Sequence, residues 1–138
     1  MGHVDFTSHK VDLPARAEAV FLFFSDMNNY QKMMPEQIIN WRSTTEECEF
    51  DIKGMAHIGL FKSGEIPGKS VSISSKPDNP LELQLQANVE PSGDNSSVAW
   101  IGLSAHLSPI LQMMASAPLQ NLVNMMAEKL KGVLSAEC

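Results

Sequence analysis

Apolar and polar residues alternate along two long segments in the second half of the chain. Residues 81–89 and 97–107 each place every second residue in an apolar series, with polar residues between. Such alternation predicts antiparallel strands with one buried and one solvated face. The apolar series comprises Leu81, Leu83, Leu85, Ala87, Val89, Ala99, Ile101, Leu103, Ala105 and Leu107.

Five further segments carry a weaker strand pattern. They cover residues 3–13, 38–42, 47–53, 55–62 and 70–75, and turns rich in glycine and proline follow several of them. Together with the two long segments they predict about seven strands. Because most connections are short, neighbouring strands are expected to pair as antiparallel hairpins.

Two short helices are predicted between the first and second strands. Pro14 suits the first turn of a helix over residues 15–25, since its missing N–H costs nothing there. Asp26 is placed to cap a second helix over residues 27–34, which Pro35 terminates.

The chain ends in one long predicted helix. Ser108 is the expected cap, Pro109 the first residue, and an apolar stripe runs from Leu119 to Leu134. Pro118 lies inside this pattern and predicts a kink or a restart. The helix has the length and apolar surface needed to cover the buried face of the sheet.

The predicted fold class is therefore α+β: a curved antiparallel sheet of about seven strands around a long C-terminal helix. We expect residues 1–138 to form one domain, because the chain has 138 residues. A single helix does not fill a strongly bent sheet, so a cavity is expected between the two.

Composition excludes several classes of function. Ten basic and sixteen acidic residues give a formal net charge of −6, which disfavours binding to nucleic acid and to anionic membranes. No apolar run is long enough to span a bilayer, and the N-terminus lacks a signal-peptide pattern. With two cysteines, Cys48 and Cys138, expected as free thiols, the predicted location is cytoplasmic.

Several segments together resemble the START/Bet v 1-like superfamily, which includes polyketide cyclase-like proteins (SRPBCC proteins). They are the Pro14-led helix ending in VFLFFSD (residues 20–26), Asn29-Tyr30, Met34-Pro35, FDIKGMA (residues 50–56) and LSPIL (residues 107–111). The resemblance covers nearly the whole chain. It implies a helix-grip fold with an internal pocket for lipids, polyketides or quinone-like molecules, and it transfers no catalytic residue.

The sequence predicts no catalytic site among the side chains that could take part in a reaction. His57 and His106 alternate with apolar neighbours, so they are expected to face solvent unless a β-bulge reverses the alternation. Cys48 shares the phase of Phe50 and is expected to be an inert core thiol. Trp41 and Trp100 are expected on the strand surface, or at a rim or partner contact.

Nine methionines are the unusual feature of the composition. Methionine adapts to irregular space, so the pairs on the short and long helices are explained either by core filling or by a deformable ligand pocket. Tyr30 has two open placements, at the pocket mouth or between the short helices. The predicted ligand-binding residues are Tyr30, Met33, Met34, Phe50, Ile58, Leu60, Leu83, Leu85, Ile101, Leu103, Met114, Leu122, Met125 and Met126.

The sequence therefore favours binding or carriage of a small hydrophobic ligand, with no cofactor and no metal. One alternative is a cyclase- or dehydratase-type enzyme acting on an apolar ligand in the same cavity. The other is a protein-interaction module. The expected partners are a small apolar molecule and, in a homodimer, a second copy of the chain.

Overall fold

The computed structural model describes residues 2–54, 56–77 and 82–137. Met55 and Leu81, where two predicted strands begin, and Cys138 lie outside the described residues. The described part contains eight strands: β1 (Gly2–Thr7), β2 (Val11–Leu13), β3 (Ile38–Ser43), β4 (Glu47–Ile52), β5 (Ala56–Ile66), β6 (Ser70–Ser75), β7 (Glu82–Gly93) and β8 (Ser96–Leu107).

The strands form one antiparallel sheet in the order β1-β8-β7-β6-β5-β4-β3, with β2 also paired to β8. The first and last thirds of the chain thus meet at one edge, while β3 forms the other. Five neighbouring pairs are consecutive hairpins, as the short connections predict.

The prediction of one continuous first strand is wrong. Residues 3–13 form β1 and β2, which pair with different parts of β8, and the short helices follow β2 rather than a single strand 1. The interruption falls at Ser8, whose hydroxyl accepts a hydrogen bond from the Ile101 amide at 2.9 Å. A hydrogen bond to a side chain thereby replaces one of the backbone hydrogen bonds of regular strand pairing.

Two short helices connect β2 to β3, as predicted. Helix α1 covers Ala17–Ser25, and a 3-10 helix covers Met27–Met33. The Asp26 side chain accepts from the Asn28 amide at 2.9 Å, which confirms its capping role. Met34 has an extended backbone rather than the predicted helical one, because Pro35 disfavours the α region in the residue before it.

Helix α2 (Pro109–Glu137) packs against the 3-10 helix, β1, β2 and β8. It continues through Pro118, so of the two predicted alternatives, a kink or a restart, the restart does not occur. Pro118 is exposed, and the Met114 carbonyl that lacks its usual donor can therefore be hydrated instead.

The core lies between the sheet and the helices, where the alternating series predicts it. Along β7 and β8 every second residue is buried, from Leu83 to Val89 and from Ser97 to Leu107. Val123, Met126 and Leu130 of α2 are fully buried against this surface. The helix-grip architecture follows from this burial, since the sheet has one apolar face and α2 covers it.

A bulge in β3 reverses the side-chain alternation at the edge of the sheet. The pairing of β3 with β4 shifts between Ile39 and Arg42, and Asn40 has a positive φ of 56°. The bulge turns Trp41 toward Phe50, where the two rings stack. Of the placements predicted for Trp41, the strand surface is therefore wrong, because the extra residue moves its side chain across the strand and against the core, while a rim or partner contact stays a prediction.

A cavity between helix α2 and the ends of two strands

An apolar cavity of about 360 Å³ opens at one end of the sheet, between α2 and the ends of β3 and β4. This volume lies within the range of small-molecule sites, roughly 300–1,000 Å³. The lining residues are Pro35, Gln37, Ile38, Ile52, Lys53, Pro118, Leu119, Asn121, Leu122 and Met125.

The strand wall of the cavity is set by the register of β3 and β4. Ile38 pairs with Ile52, so both apolar side chains lie at the same level of the sheet. Just beyond this pair the Lys53 amide donates to the Gln37 carbonyl at 2.8 Å. Pro35 ends the preceding helical segment and begins this wall.

The helix wall follows from the periodicity of α2. Pro118, Leu122 and Met125 are spaced i, i+4 and i+7, which places them on one side of the helix. Leu119 is buried, whereas Met125 is 37% exposed. This side of α2 is thus apolar and only partly covered by protein.

Polar side chains at the cavity are few. Among the described residues that line it, Gln37, Lys53 and Asn121 have polar side chains, and all three are exposed. Lys53 is the one titratable side chain in this described lining. An apolar interior bounded by a few polar groups is the usual composition of a small-molecule site.

Of the predicted ligand-binding residues, Leu122 and Met125 line this cavity. Met34 is half-buried next to Pro35. Met114 is 68% exposed and lies outside the lining. The other predicted residues are buried in the core: Tyr30, Met33, Phe50, Ile58, Leu60, Leu83, Leu85, Ile101, Leu103 and Met126.

Tyr30 takes the second of its two placements, between the short helices. Its side chain is buried, and its hydroxyl donates to the Phe24 carbonyl at 2.9 Å. Burial raises the pKa of the Tyr30 phenol, so the group stays neutral. It ties the 3-10 helix to α1.

His57 forms a charged cluster on the solvent side of the sheet, outside the cavity. Its Nδ1 lies 2.7 Å from Asp51 and its Nε2 3.1 Å from Glu49. These hydrogen bonds, the one to Asp51 first, raise the pKa of His57. The exposure predicted for His57 and His106 is confirmed, with side chains 52% and 47% exposed.

The two carboxylates of this cluster have lowered pKa values. For Asp51 the main cause is the hydrogen bond from Asn40, at 2.7 Å, followed by the one from His57. For Glu49 it is the hydrogen bond from His57, followed by the charge of Lys76. The cluster therefore favours an ionised state with a positive imidazolium between two carboxylates.

Cys48 is buried, as predicted, and burial raises the pKa of its thiol to about 12. A neutral buried thiol is a poor nucleophile. Within the described residues, no group of three or more His, Cys, Asp or Glu side chains is arranged to hold a metal ion. No helix in the described part of the chain is long and apolar enough to cross a bilayer.

The two tryptophans lie on different faces of the sheet. Trp41 stacks on Phe50, whose side chain is buried in the core. Trp100 is half-buried, and the Lys10 ammonium lies 4.6 Å from the centre of its ring. They therefore do not form a common aromatic patch.

Most of the lining residues are absent from the sequence-based list. Pro35 and Pro118 were identified as helix punctuation, Leu119 as part of the apolar stripe of the last helix, and Ile38 and Ile52 only as members of predicted strands. Gln37, Lys53 and Asn121 carry no pattern that marks a binding site. Only the alignment of strand ends with one side of α2 brings these residues together.

The architecture has many relatives among solved structures. A START superfamily protein from Mycobacterium smegmatis superposes with a TM-score of 0.71 at 14% identity, over 99% of this chain and 100% of the other. The solution structure of the KanY protein gives a TM-score of 0.74 at 16% identity, over 98% of this chain and 99% of the other. The chain has the START/Bet v 1-like fold.

An enzyme is also among the proteins with this START/Bet v 1-like fold. Norcoclaurine synthase from Thalictrum flavum, solved with dopamine and hydroxybenzaldehyde, gives a TM-score of 0.70 at 11% identity, over 99% of this chain and 89% of the other. No family profile and no curated protein matches the sequence itself. At these identities the similarity establishes the fold alone.

Proposed function

We propose that this protein binds a small apolar molecule in the cavity between α2 and the ends of β3 and β4. The observation that carries the proposal is the partly open, mainly apolar lining, in which Ile38 and Ile52 face Leu122 and Met125. Burial of apolar ligand surface would drive binding, at about 25 cal/mol per Å².

The proposal places the ligand beside the middle of α2, at residues 118–125, and at the ends of β3 and β4 rather than under the centre of the sheet. The buried methionines Met33 and Met126 pack in the core, while Met125 borders the cavity with an unbranched, adaptable side chain. A cavity with such a wall accommodates ligands of differing shape. Carriage is favoured over tight storage because the cavity opens to solvent.

A cyclase- or dehydratase-type activity would need an acid–base pair at the ligand. Among the described lining residues Lys53 is the one titratable group, and the His57 cluster lies outside the cavity. Norcoclaurine synthase is an enzyme with this fold, so the fold itself does not exclude catalysis. The composition of this lining favours binding without catalysis.

A homologous series of 1-alkanols tests the proposal. Each added CH2 should tighten binding by about 0.8 kcal/mol, roughly fourfold in Kd, until the cavity is full. Displacement of the neutral fluorescent probe N-phenyl-1-naphthylamine would measure the affinities.

Leu122→Trp supplies the decisive variant, because a larger side chain at this wall fills the cavity. Met114→Trp is the matched control, since Met114 is on the same helix but exposed and outside the lining. We expect loss of binding in the first variant and unchanged binding in the second. Failure of the wild type to bind the probe or any alkanol would refute the proposal.

A further inference from the structure

The strand wall and the helix wall of the cavity both contribute polar side chains. Lys53 and Gln37 are adjacent, because the Lys53 amide donates to the Gln37 carbonyl at 2.8 Å. Asn121 contributes an amide from α2. Ile38 follows Gln37 and Ile52 precedes Lys53 in the chain, so the strand wall combines an apolar pair with adjacent polar residues.

Lys53 has no ion-pair partner among the residues that the structure describes. Lys62 lies 3.5 Å from Glu46 and Lys76 lies 3.4 Å from Glu47, whereas Lys69, Lys129 and Lys131, like Lys53, have no ion pair with a described residue. The carboxylate nearest to Lys53 along the strand, Asp51, is engaged by Asn40 and His57. The positive charge at the cavity is therefore uncompensated by described groups.

The side-chain amides of Gln37 and Asn121 make no hydrogen bond with the described residues. An ammonium group with two such amides offers several donors around one unit of positive charge. Charge-assisted hydrogen bonds to a carboxylate are stronger than those between neutral groups. A single lysine supplies one positive charge, which matches the single negative charge of a carboxylate better than the two charges of a phosphate monoester.

From this juxtaposition we infer that the ligand is a monoanionic amphiphile, an aliphatic carboxylic acid whose head group contacts Lys53 and whose tail lies against Ile38, Ile52 and Leu122. The inference rests on the proposed function and specifies its ligand class. A cavity of about 360 Å³ holds a tail of about ten carbon atoms, at roughly 30 Å³ for each water-sized group.

Three ligands with the same tail and different head groups test the inference: decanoate, 1-decanol and decylammonium. At neutral pH and low salt we expect decanoate to bind about two- to fivefold more tightly than decanol, as a partly exposed ion pair permits. Decylammonium should bind least well. Raising the ionic strength should weaken the binding of decanoate, because salt screens its ion pair, and should leave the binding of neutral decanol unchanged.

Lys53→Met provides the variant, because it removes the charge and keeps an apolar stem of similar length. It should abolish the preference for decanoate over decanol. Lys69→Met is the matched control, since Lys69 is an exposed lysine in the turn between β5 and β6, outside the lining. It should preserve the preference for decanoate.

Two outcomes would overturn the inference in different ways. Equal binding of decanoate and decanol by the wild type would refute the inference of an acidic ligand, and so would an unchanged preference in Lys53→Met. Neither result would refute the binding of an apolar molecule. Absence of binding for all three ligands and for the fluorescent probe would refute both the proposed function and the inference.

Discussion

Trp41 stacks on Phe50 with ring centres 5.4 Å apart and planes 7° from parallel. The contact joins the edge strand β3 to the core, and it depends on the residue before Trp41. Asn40 has a φ of 56°, and its amide donates to Asp51 at 2.7 Å. One bulged residue thus converts an expected surface aromatic into a partly buried one.

We expect Asn40→Val to destabilise the protein by about 1–2 kcal/mol relative to Asn40→Gly. Both variants lose the hydrogen bond to Asp51, but only valine pays the steric cost of a left-handed backbone. Urea unfolding followed by tryptophan fluorescence in a Trp100→Phe background measures the difference and reports on Trp41. Equal stability of the two variants would show that the bulge is not required.

The His57 cluster predicts a pH-dependent contribution to stability. Because the folded pKa of His57 is raised, its contribution is present below the usual histidine pKa and is lost as pH rises through the raised value. The lowered pKa values of Asp51 and Glu49 give a contribution that is lost as pH falls through them. The cluster should therefore stabilise most near about pH 5 to 6.

His57→Gln tests this expectation through urea midpoints at mildly acidic and mildly alkaline pH. The stability difference from the wild type should shrink as pH rises. His106→Gln is the control, since His106 is similarly exposed and lies 4.0 Å from the Glu82 carboxylate. A difference that stays constant or grows with pH would contradict the assigned role of the imidazolium.

Substitutions of the buried and of the exposed methionines of α2 should have very different effects on the free energy of unfolding. Met126 is fully buried, so Met126→Ala should cost about 2–5 kcal/mol through lost burial and the cavity left behind. Met114 is 68% exposed, and Met114→Ala should change stability by less than about 0.5 kcal/mol. Chemical denaturation of both variants measures this. Similar losses in both would mean that the two sides of α2 are assigned wrongly.

Cys48 should be unreactive in the folded protein. Burial raises the pKa of its thiol to about 12, so the thiolate fraction at pH 8 is about one in ten thousand. In a Cys138→Ser background, Ellman's reagent should react slowly under native conditions and promptly in urea. Rapid stoichiometric reaction of the folded protein would contradict the burial of this side chain.

Much of the fold could be predicted from the alternation and punctuation of the sequence. The apolar series 83–89 and 99–107 lies on the buried face, and Asp26 and Pro35 bound the 3-10 helix as expected. These features depend on local periodicity and backbone preference. The break at Ser8 and the bulge at Asn40 were missed because a side-chain contact with another strand determines each.

The cavity could be predicted only in part. Leu122 and Met125 were identified because the apolar side of a helix is visible in sequence. Buried residues such as Ile58 and Ile101 have the same apolar signature but pack in the core. An apolar pattern indicates burial without distinguishing a packed neighbour from an empty space.

The amino-acid sequence by itself determined the order of the elements, the buried face of the sheet, the covering helix and the exposure of His57. These depend on spacings of two or about 3.6 residues within single segments. Tertiary structure decided where a cavity remains and that Lys53, Gln37 and Asn121 line it. Those residues come from separate parts of the chain, and they line one cavity because α2 lies opposite the ends of β3 and β4.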